Sequence, residues 1–335
     1  MTHSTTRRAG HGTTRRAAIG TLAAAALLGT AGFAHAAFPD KPIRIVVPWP
    51  AGGLVDLPAR LVGEKLQAAL GQQVLVDNKT GAGGAIGADA VAKAAPDGYT
   101  LLVTTSAMSI NQALGIKQPF DPIKDFQPVA IFATAPLILV PTPGKGVITV
   151  AALVAKARKA PGNLTYASAG NGTPAHLAAE WFKATQDIDV VHVPYRGAPP
   201  AMLDQVAGRV DFHFSNAAVG LPQIAAGKVT PLAIASPKRL EQLPKVPTMI
   251  EAGVKDFDTE QWIGLLAPKG TPPELVKRLN ELVRDAITAP DVRAAMSRAG
   301  IVPATPTSPE AFGGVVRADL DKWTKVVKTA DIKLD

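Results

Sequence analysis

The chemistry this chain can offer sits in three loops rich in glycine and small polar residues. The first runs over residues 49–56, WPAGGLVD. Gly52 and Gly53 let the backbone approach a ligand closely, and Asp56 is placed to cap the helix that follows. The second is 81–87, GAGGAIG. Gly81 and Gly83 fit the start of a dinucleotide loop, but Ile86 stands where the third glycine belongs. No acid follows about 20 residues on to hold a ribose. This loop therefore reads as a close-packed helix entry rather than a nicotinamide site. The third is 168–174, SAGNGTP. Thr173 fits a helix N-cap and Pro174 the first helical position. Ser168 ends a strand-like run, with its hydroxyl toward the crevice beyond. Taken alone, each loop also fits an ordinary turn into a helix.

The residues that suggest catalysis are fewer. Beyond residue 37, histidine occurs only as His176, His192 and His213. Their spacing matches no local metal motif. His176 falls in the first turn of a helix, where it either lines a pocket or packs. His192 and His213 sit inside strand-like runs and read as core or edge residues. No G-x-S-x-G elbow occurs. A hydrolytic reading therefore rests on Ser168 with a histidine brought near by the fold, His176 being the candidate. Glu180, Asp204 and Asp211 are single carboxylates with nothing to pair them for acid–base work.

These loops need strands and helices to hold them. Residues 43–48, 73–77 and 99–105 read as strands, with helical stretches over 54–70 and 88–95 between them. The middle repeats the pattern. Strands are expected at 137–140, 164–168, 190–193, 210–214 and 231–235, with helices at 150–159, 174–184 and 198–207. Thr271-Pro272-Pro273-Glu274 reads as a capping box opening a helix to about residue 288. A short helix over 290–299 follows, and Ser308-Pro309 starts a last one to about residue 328. Strand–helix alternation implies an α/β fold with mainly parallel sheets. The extended apolar runs 128–140 and 260–267 read as crossovers between two lobes. Lobe 1 is then 37–137 plus 262–335, and lobe 2 is 138–261.

Composition narrows the setting. Residues 1–36 hold Arg7-Arg8 and Arg15-Arg16 and no acid, then an apolar run over 17–28. Ala34-His35-Ala36 fits the small-x-small cleavage pattern, which makes Ala37 the expected mature N-terminus of an exported and released protein. Thr14-Arg15-Arg16 hints at the twin-arginine route. The apolar run is too short for a membrane anchor, and no later stretch reaches about 18 consecutive apolar residues. The chain has no cysteine, which excludes disulfides, thiolate metal sites and cysteine nucleophiles. Four of the arginines lie in the leader, so the remainder keeps about half of the formal +8. That suits an anionic ligand and is too weak for nucleic acid.

Several blocks, in order, resemble one known family. They are 42–53 (PIRIVVPWPAGG) with Asp56 and Ala59-Arg60, then Gly81-Ala82-Gly83-Gly84 with Gly87, and Pro96-Asp97-Gly98-Tyr99. Tyr166-Ala167-Ser168 with Gly170-Asn171-Gly172-Thr173 and His176-Leu177 follow. Val193-Pro194-Tyr195-Arg196-Gly197, 244–253 (PKVPTMIEAG) and 262–268 (WIGLLAP) complete the set. The chain resembles the Bug-type solute-binding proteins of tripartite tricarboxylate transporters. The resemblance implies a type II periplasmic binding protein, with two α/β lobes and a ligand crevice between them. It implies a non-enzymatic, cofactor-free monomer that clamps a small organic anion by hinge closure and hands it to a membrane permease. One carboxylate would be gripped by Trp49, Ala51, Gly52, Gly53 and Asp56 together with Ser168, Gly170, Asn171, Gly172, Thr173 and His176. The remote end would be read near Tyr195, Gly197, Ala198, Ser215 and Asn216, with Arg196 and Gln261 as further candidates. Many members carry Asp where Ser215 stands. Its absence argues against an amino acid and for a mono- or dicarboxylate, aromatic acids included. Pro50 and Pro58 also depart from the pattern, and Pro58 must lie in the first helical turn. Two other readings stay open: a secreted α/β hydrolase using Ser168 and His176, and a sensor that signals through a partner.

Overall fold

The computed structural model describes residues 1–5 and 38–332. The leader's arginine pairs, apolar run and cleavage site fall on residues 6–37, outside the described residues. The chain divides into Met1–Asp40 and Lys41–Asp335, and everything below concerns the second unit.

In chain order the elements begin with β1 (Ile43–Val47), α1 (Asp56–Leu70), β2 (Val74–Asn78), a 3-10 turn (Ala82–Gly84) and α2 (Ala85–Ala92). Next come β3 (Thr100–Thr105), α3 (Ala107–Ala113), β4 (Phe126–Ala135), β5 (Leu137–Pro141) and α4 (Val150–Lys159). The middle holds β6 (Thr165–Ser168), α5 (Pro174–Gln186), β7 (Val191–Pro194), α6 (Ala198–Val206), β8 (Phe212–Asn216), α7 (Ala217–Ala225) and β9 (Ala233–Ala235). The chain closes with β10 (Gln261–Pro268), α8 (Pro273–Thr288), α9 (Pro290–Arg298), β11 (Val302–Pro303) and α10 (Pro309–Thr329).

The strands form two sheets. The first has the order β11-β4-β10-β3-β1-β2 and the second β7-β6-β8-β5-β9. In the first, β1 runs parallel to β2 and β3, and β10 antiparallel to β3 and β4. In the second, β6 runs parallel to β7 and β8, and β5 antiparallel to β8 and β9. The run 128–140 therefore belongs to two strands, split at Pro136 between the sheets. The run 260–267 is an interior strand of the first sheet.

The uninterrupted apolar runs follow from burial on both faces. In β5, Leu137 and Leu139 join a core with Tyr166, Phe182, Phe212, Phe214 and Phe257. Ile138 and Val140, one residue out of step, join Met202, Val229 and Ile234 on the other face. Truncating a buried ring of this kind to alanine costs about 3–5 kcal/mol. The helices of the two sheets also meet. Leu177 and Trp181 of α5 pack with Ile110 of α3 and Trp323 of α10. Gly300 touches α7 so closely that a Cβ there would lie 2.9 Å from Ala217.

Three local expectations need correction. Thr271 makes no capping box: Pro272 takes the N-cap, and the Thr271 hydroxyl donates to the Pro268 carbonyl at 2.8 Å. Thr173 is the N-cap of α5, but its hydroxyl donates to Gly170 O at 2.7 Å rather than accepting from the helix. Helices α3 and α7 have no counterpart in the sequence reading. Helix α3 is two turns with polar and apolar residues buried alike over 107–111, and α7 is apolar nearly throughout with Pro222 inside it.

Candidate functional site

The first loop leaves the C-terminal end of β1 and enters α1. Asp56 is the first helical residue rather than the cap, and it is buried. Its Oδ2 accepts from the Gly52 N–H at 2.8 Å and from Arg60 Nε at 2.8 Å. Its Oδ1 accepts from Asn78 Nδ2 at 2.8 Å, and the same amide donates to the Trp49 carbonyl at 2.9 Å. Burial pushes the Asp56 carboxyl up, but the bonds from Arg60, Gly52 and Asn78 outweigh it and hold the group below its ordinary range. Asp56 thus ties the loop from inside. The N–H groups of Leu54, Val55 and Asp56 have no acceptor among the described residues. Three consecutive free donors at a helix entry suit an anion. Pro58 lies in the first turn of α1, where its missing N–H costs nothing.

The glycine loop braces this one. A Cβ on Gly87 would lie 2.7 Å from the Lys79 carbonyl and 2.8 Å from Pro48 Cβ. A Cβ on Gly84 would lie 3.3 Å from the Trp49 ring. The glycines let the backbone pass under Pro48 and Trp49, as close packing required. The Trp49 indole N–H is buried without a partner among the described residues.

The second loop leaves β6 and enters α5. Ser168 is fully buried, and its Oγ lies 2.6 Å from His192 Nε2. The same oxygen accepts from the Gly170 N–H at 3.1 Å. His176 Nδ1 accepts from the Gly172 N–H at 3.2 Å. Behind the loop, Tyr195 N–H donates to Ser168 O and Gly197 N–H to Ala169 O, both at 3.1 Å. Gly170 has φ +124°, and a Cβ there would press on the Tyr195 carbonyl at 3.2 Å. The N–H groups of Ala169 and Asn171 have no acceptor among the described residues.

The structure thus gathers Ser168, Gly170, Gly172, Thr173 and His176 into one network, and Trp49, Gly52 and Asp56 into another. Gly53 closes its own turn on Pro50 O at 3.4 Å, and Ala51 is exposed. The remaining candidates are more scattered. The Tyr195 hydroxyl donates to Asp204 at 2.8 Å, and burial with that bond pushes the phenol up to about 12. Ser215 is buried, its hydroxyl donating to Asn216 O at 3.1 Å. Asn216 caps α7 by accepting from Val219 N–H. Ala198 opens α6. Arg196 is exposed, and Gln261 is buried at the start of β10. The single carboxylates are all engaged: Glu180 by Tyr166 and Lys183, Asp204 by Tyr195 and Arg209, Asp211 by Thr165 and Lys145.

Two residues of these networks escaped the sequence reading. Asn78 reaches the first loop from the end of β2. His192, read as core or edge, is the histidine on Ser168, whereas His176 holds Gly172. Only the pairing of β7 beside β6, with His192 opposite Tyr166, brings it there. Among the described residues no cluster of His, Cys, Asp or Glu is suited to a metal. None of their helices is long and apolar enough to cross a membrane.

Ligands of open α/β sheets bind beyond the carboxyl ends of the strands. Two α/β sheets, each with a loop of free N–H groups at such an end, define a two-lobed receptor for a small solute. The model of the tripartite tricarboxylate transporter family receptor, TctC, matches residues 58–332, and the chain belongs to that family of periplasmic receptors. It is 35% identical over 313 residues to Protein BugT of Bordetella pertussis, covering 92% of this chain and 96% of BugT. Among solved structures it resembles R. palustris Rpa4515 with adipate, at 35% identity and TM-score 0.79, over 88% of this chain and 99% of that one. It also resembles MatC (Rpa3494) from Rhodopseudomonas palustris with bound malate, at 33% identity and TM-score 0.75, over 87% and 100% of the two chains.

Proposed function

We propose that this protein is an extracytoplasmic receptor that captures a small mono- or dicarboxylate and delivers it to a tripartite tricarboxylate-type permease. The free N–H groups at 54–56 and at Ala169 and Asn171 carry the reading, one set on each sheet. A relative holding adipate and another holding malate support the ligand class. Serine at 215 supports it further, since no carboxylate stands there for an amino group. The protein works as a monomer without catalysis, exported by its leader and released after Ala36. The lobes are 37–137 plus 262–335 and 138–261, and the hinge lies at Pro136 and Glu260. Ligand bridges both lobes and so favours the closed state. Closure takes the carboxylate out of water, where each N–H donor counts for more.

A thermal-shift series on the chain from Ala37 tests this with adipate, malate, aspartate and glutamate. A ligand at a hundredfold its Kd adds about 2.7 kcal/mol to stability. The expected result is a rise with a dicarboxylate and none with the amino acids. A rise with aspartate or glutamate alone would sink the assignment.

A further inference from the structure

Beneath the second loop three rings are stacked. The Tyr166 ring lies 4.7 Å from that of His192 at 12° from parallel, and His176 lies 4.3 Å from His192 at 16°. His192 is thus held between the two. Each histidine also holds a different part of the loop: His192 the Ser168 hydroxyl, His176 the Gly172 N–H. An imidazole nitrogen accepts a hydrogen bond only while it carries no proton. The Gly172 bond therefore fixes His176 as the neutral ring with its proton on Nε2.

We infer that His176 and His192 are positioning residues for the 168–173 loop, His176 holding the Gly172 N–H in its receiving shape only while its Nδ1 carries no proton. The inference rests on the reading of that loop as a carboxylate site. A proton on His176 Nδ1 replaces an acceptor with a second donor facing the Gly172 N–H. The stack then resists a second proton, because two like charges would lie 4.3 Å apart. Three titratable or charged groups stand beside the pair. Strand β6 supplies Tyr166. Helix α5 supplies Glu180, bonded to the Tyr166 hydroxyl, and Lys183, which lies 2.9 Å from Glu180. On β8, Phe212 and Phe214 share the Tyr166 face, which leaves His213 on the opposite side of the sheet. Protonation of His176 thus releases Gly172 and weakens carboxylate binding.

Calorimetry with adipate as the probe, from pH 8 to pH 6, tests this over a range in which a carboxylic acid stays ionised. The wild-type Kd should rise by up to about tenfold per pH unit where His176 takes up its proton. His176→Asn keeps an acceptor that does not titrate. It should bind more weakly than wild type but better than His176→Ala, with a Kd that no longer varies with pH. His192→Phe keeps a ring in the stack and drops the Ser168 bond, and should weaken binding about tenfold at every pH. A flat wild-type profile, a slope surviving in His176→Asn, or affinity rising on acidification would each overturn the inference. NMR of the ligand-free wild type gives a second readout. The Gly172 amide should titrate with the His176 ring, and an amide that ignores that ring would also overturn it. Failure of any carboxylate to bind at pH 8 would instead remove the site reading, with the Gly172 readout still deciding the role of the histidines.

Discussion

Asp56 and Ser168 do the same work with different chemistry. Each accepts the N–H of a nearby glycine, Gly52 or Gly170, and so fixes the turn that leaves neighbouring N–H groups free. Neither role was legible from residue type. Asp56 was read as a cap, and Ser168 was paired with His176 because His192 lies on another strand. His213 behaves differently. It is fully buried, neither ring nitrogen has a partner among the described residues, and burial pushes it down to about 4. The unfolded chain takes up a proton near pH 6.5 that the folded chain refuses until about pH 4. Stability is therefore full above 6.5 and is lost as pH falls toward 4, by about 3 kcal/mol in the limit. His213→Leu removes the ionisation at similar volume. In urea unfolding the variant should gain about 2 kcal/mol on wild type between pH 7 and pH 4.5. An equal difference at the two pH values would mean that the ring ionises inside the fold.

At the scale of elements, most of the strands and longer helices were readable, and for a physical reason. Parallel strands such as β1 and β3 are buried on both faces and show as apolar runs, and α8 shows its core face at helical spacing. Helices α3 and α7 lack that contrast, and the split of 128–140 between two sheets depends on long-range pairing. At that split the Thr134 hydroxyl donates to Glu260 Oε1 at 2.8 Å, joining the end of β4 to the residue before β10. Burial, aided by Asp258, pushes the Glu260 carboxyl up against the lowering effects of Thr134, Lys322 and Lys238. An acid raised in the fold weakens the folded state above its folded pKa, and the penalty fades as pH falls toward the unfolded value. Glu260→Gln keeps an oxygen for Thr134 and removes the charge. Its melting temperature should exceed that of wild type at pH 8, with the gain shrinking toward pH 4.5. A lower melting temperature at pH 8 would show that the carboxylate is stabilised where it stands.

At the scale of the whole molecule, two sheets joined by short crossings make a receptor only if ligand draws them together. Family membership was legible because its blocks run the length of the chain, while the proposed ligand class turns on a few positions of the second sheet. Ser215 is the informative one. It is buried in β8 opposite Ile138, beside the Asn216 cap of α7. Ser215→Asp introduces a negative charge at this position, and under the proposed function that charge should repel a second carboxylate and attract an ammonium group. Circular dichroism first establishes that the variant is folded. Small-angle scattering then reads closure as a fall in the radius of gyration on adding ligand. Wild type should contract with adipate and ignore aspartate, and Ser215→Asp should lose the first response and gain the second. If the variant contracts with adipate as wild type does, position 215 does not face the ligand, and selection against amino acids must come from elsewhere on the second sheet.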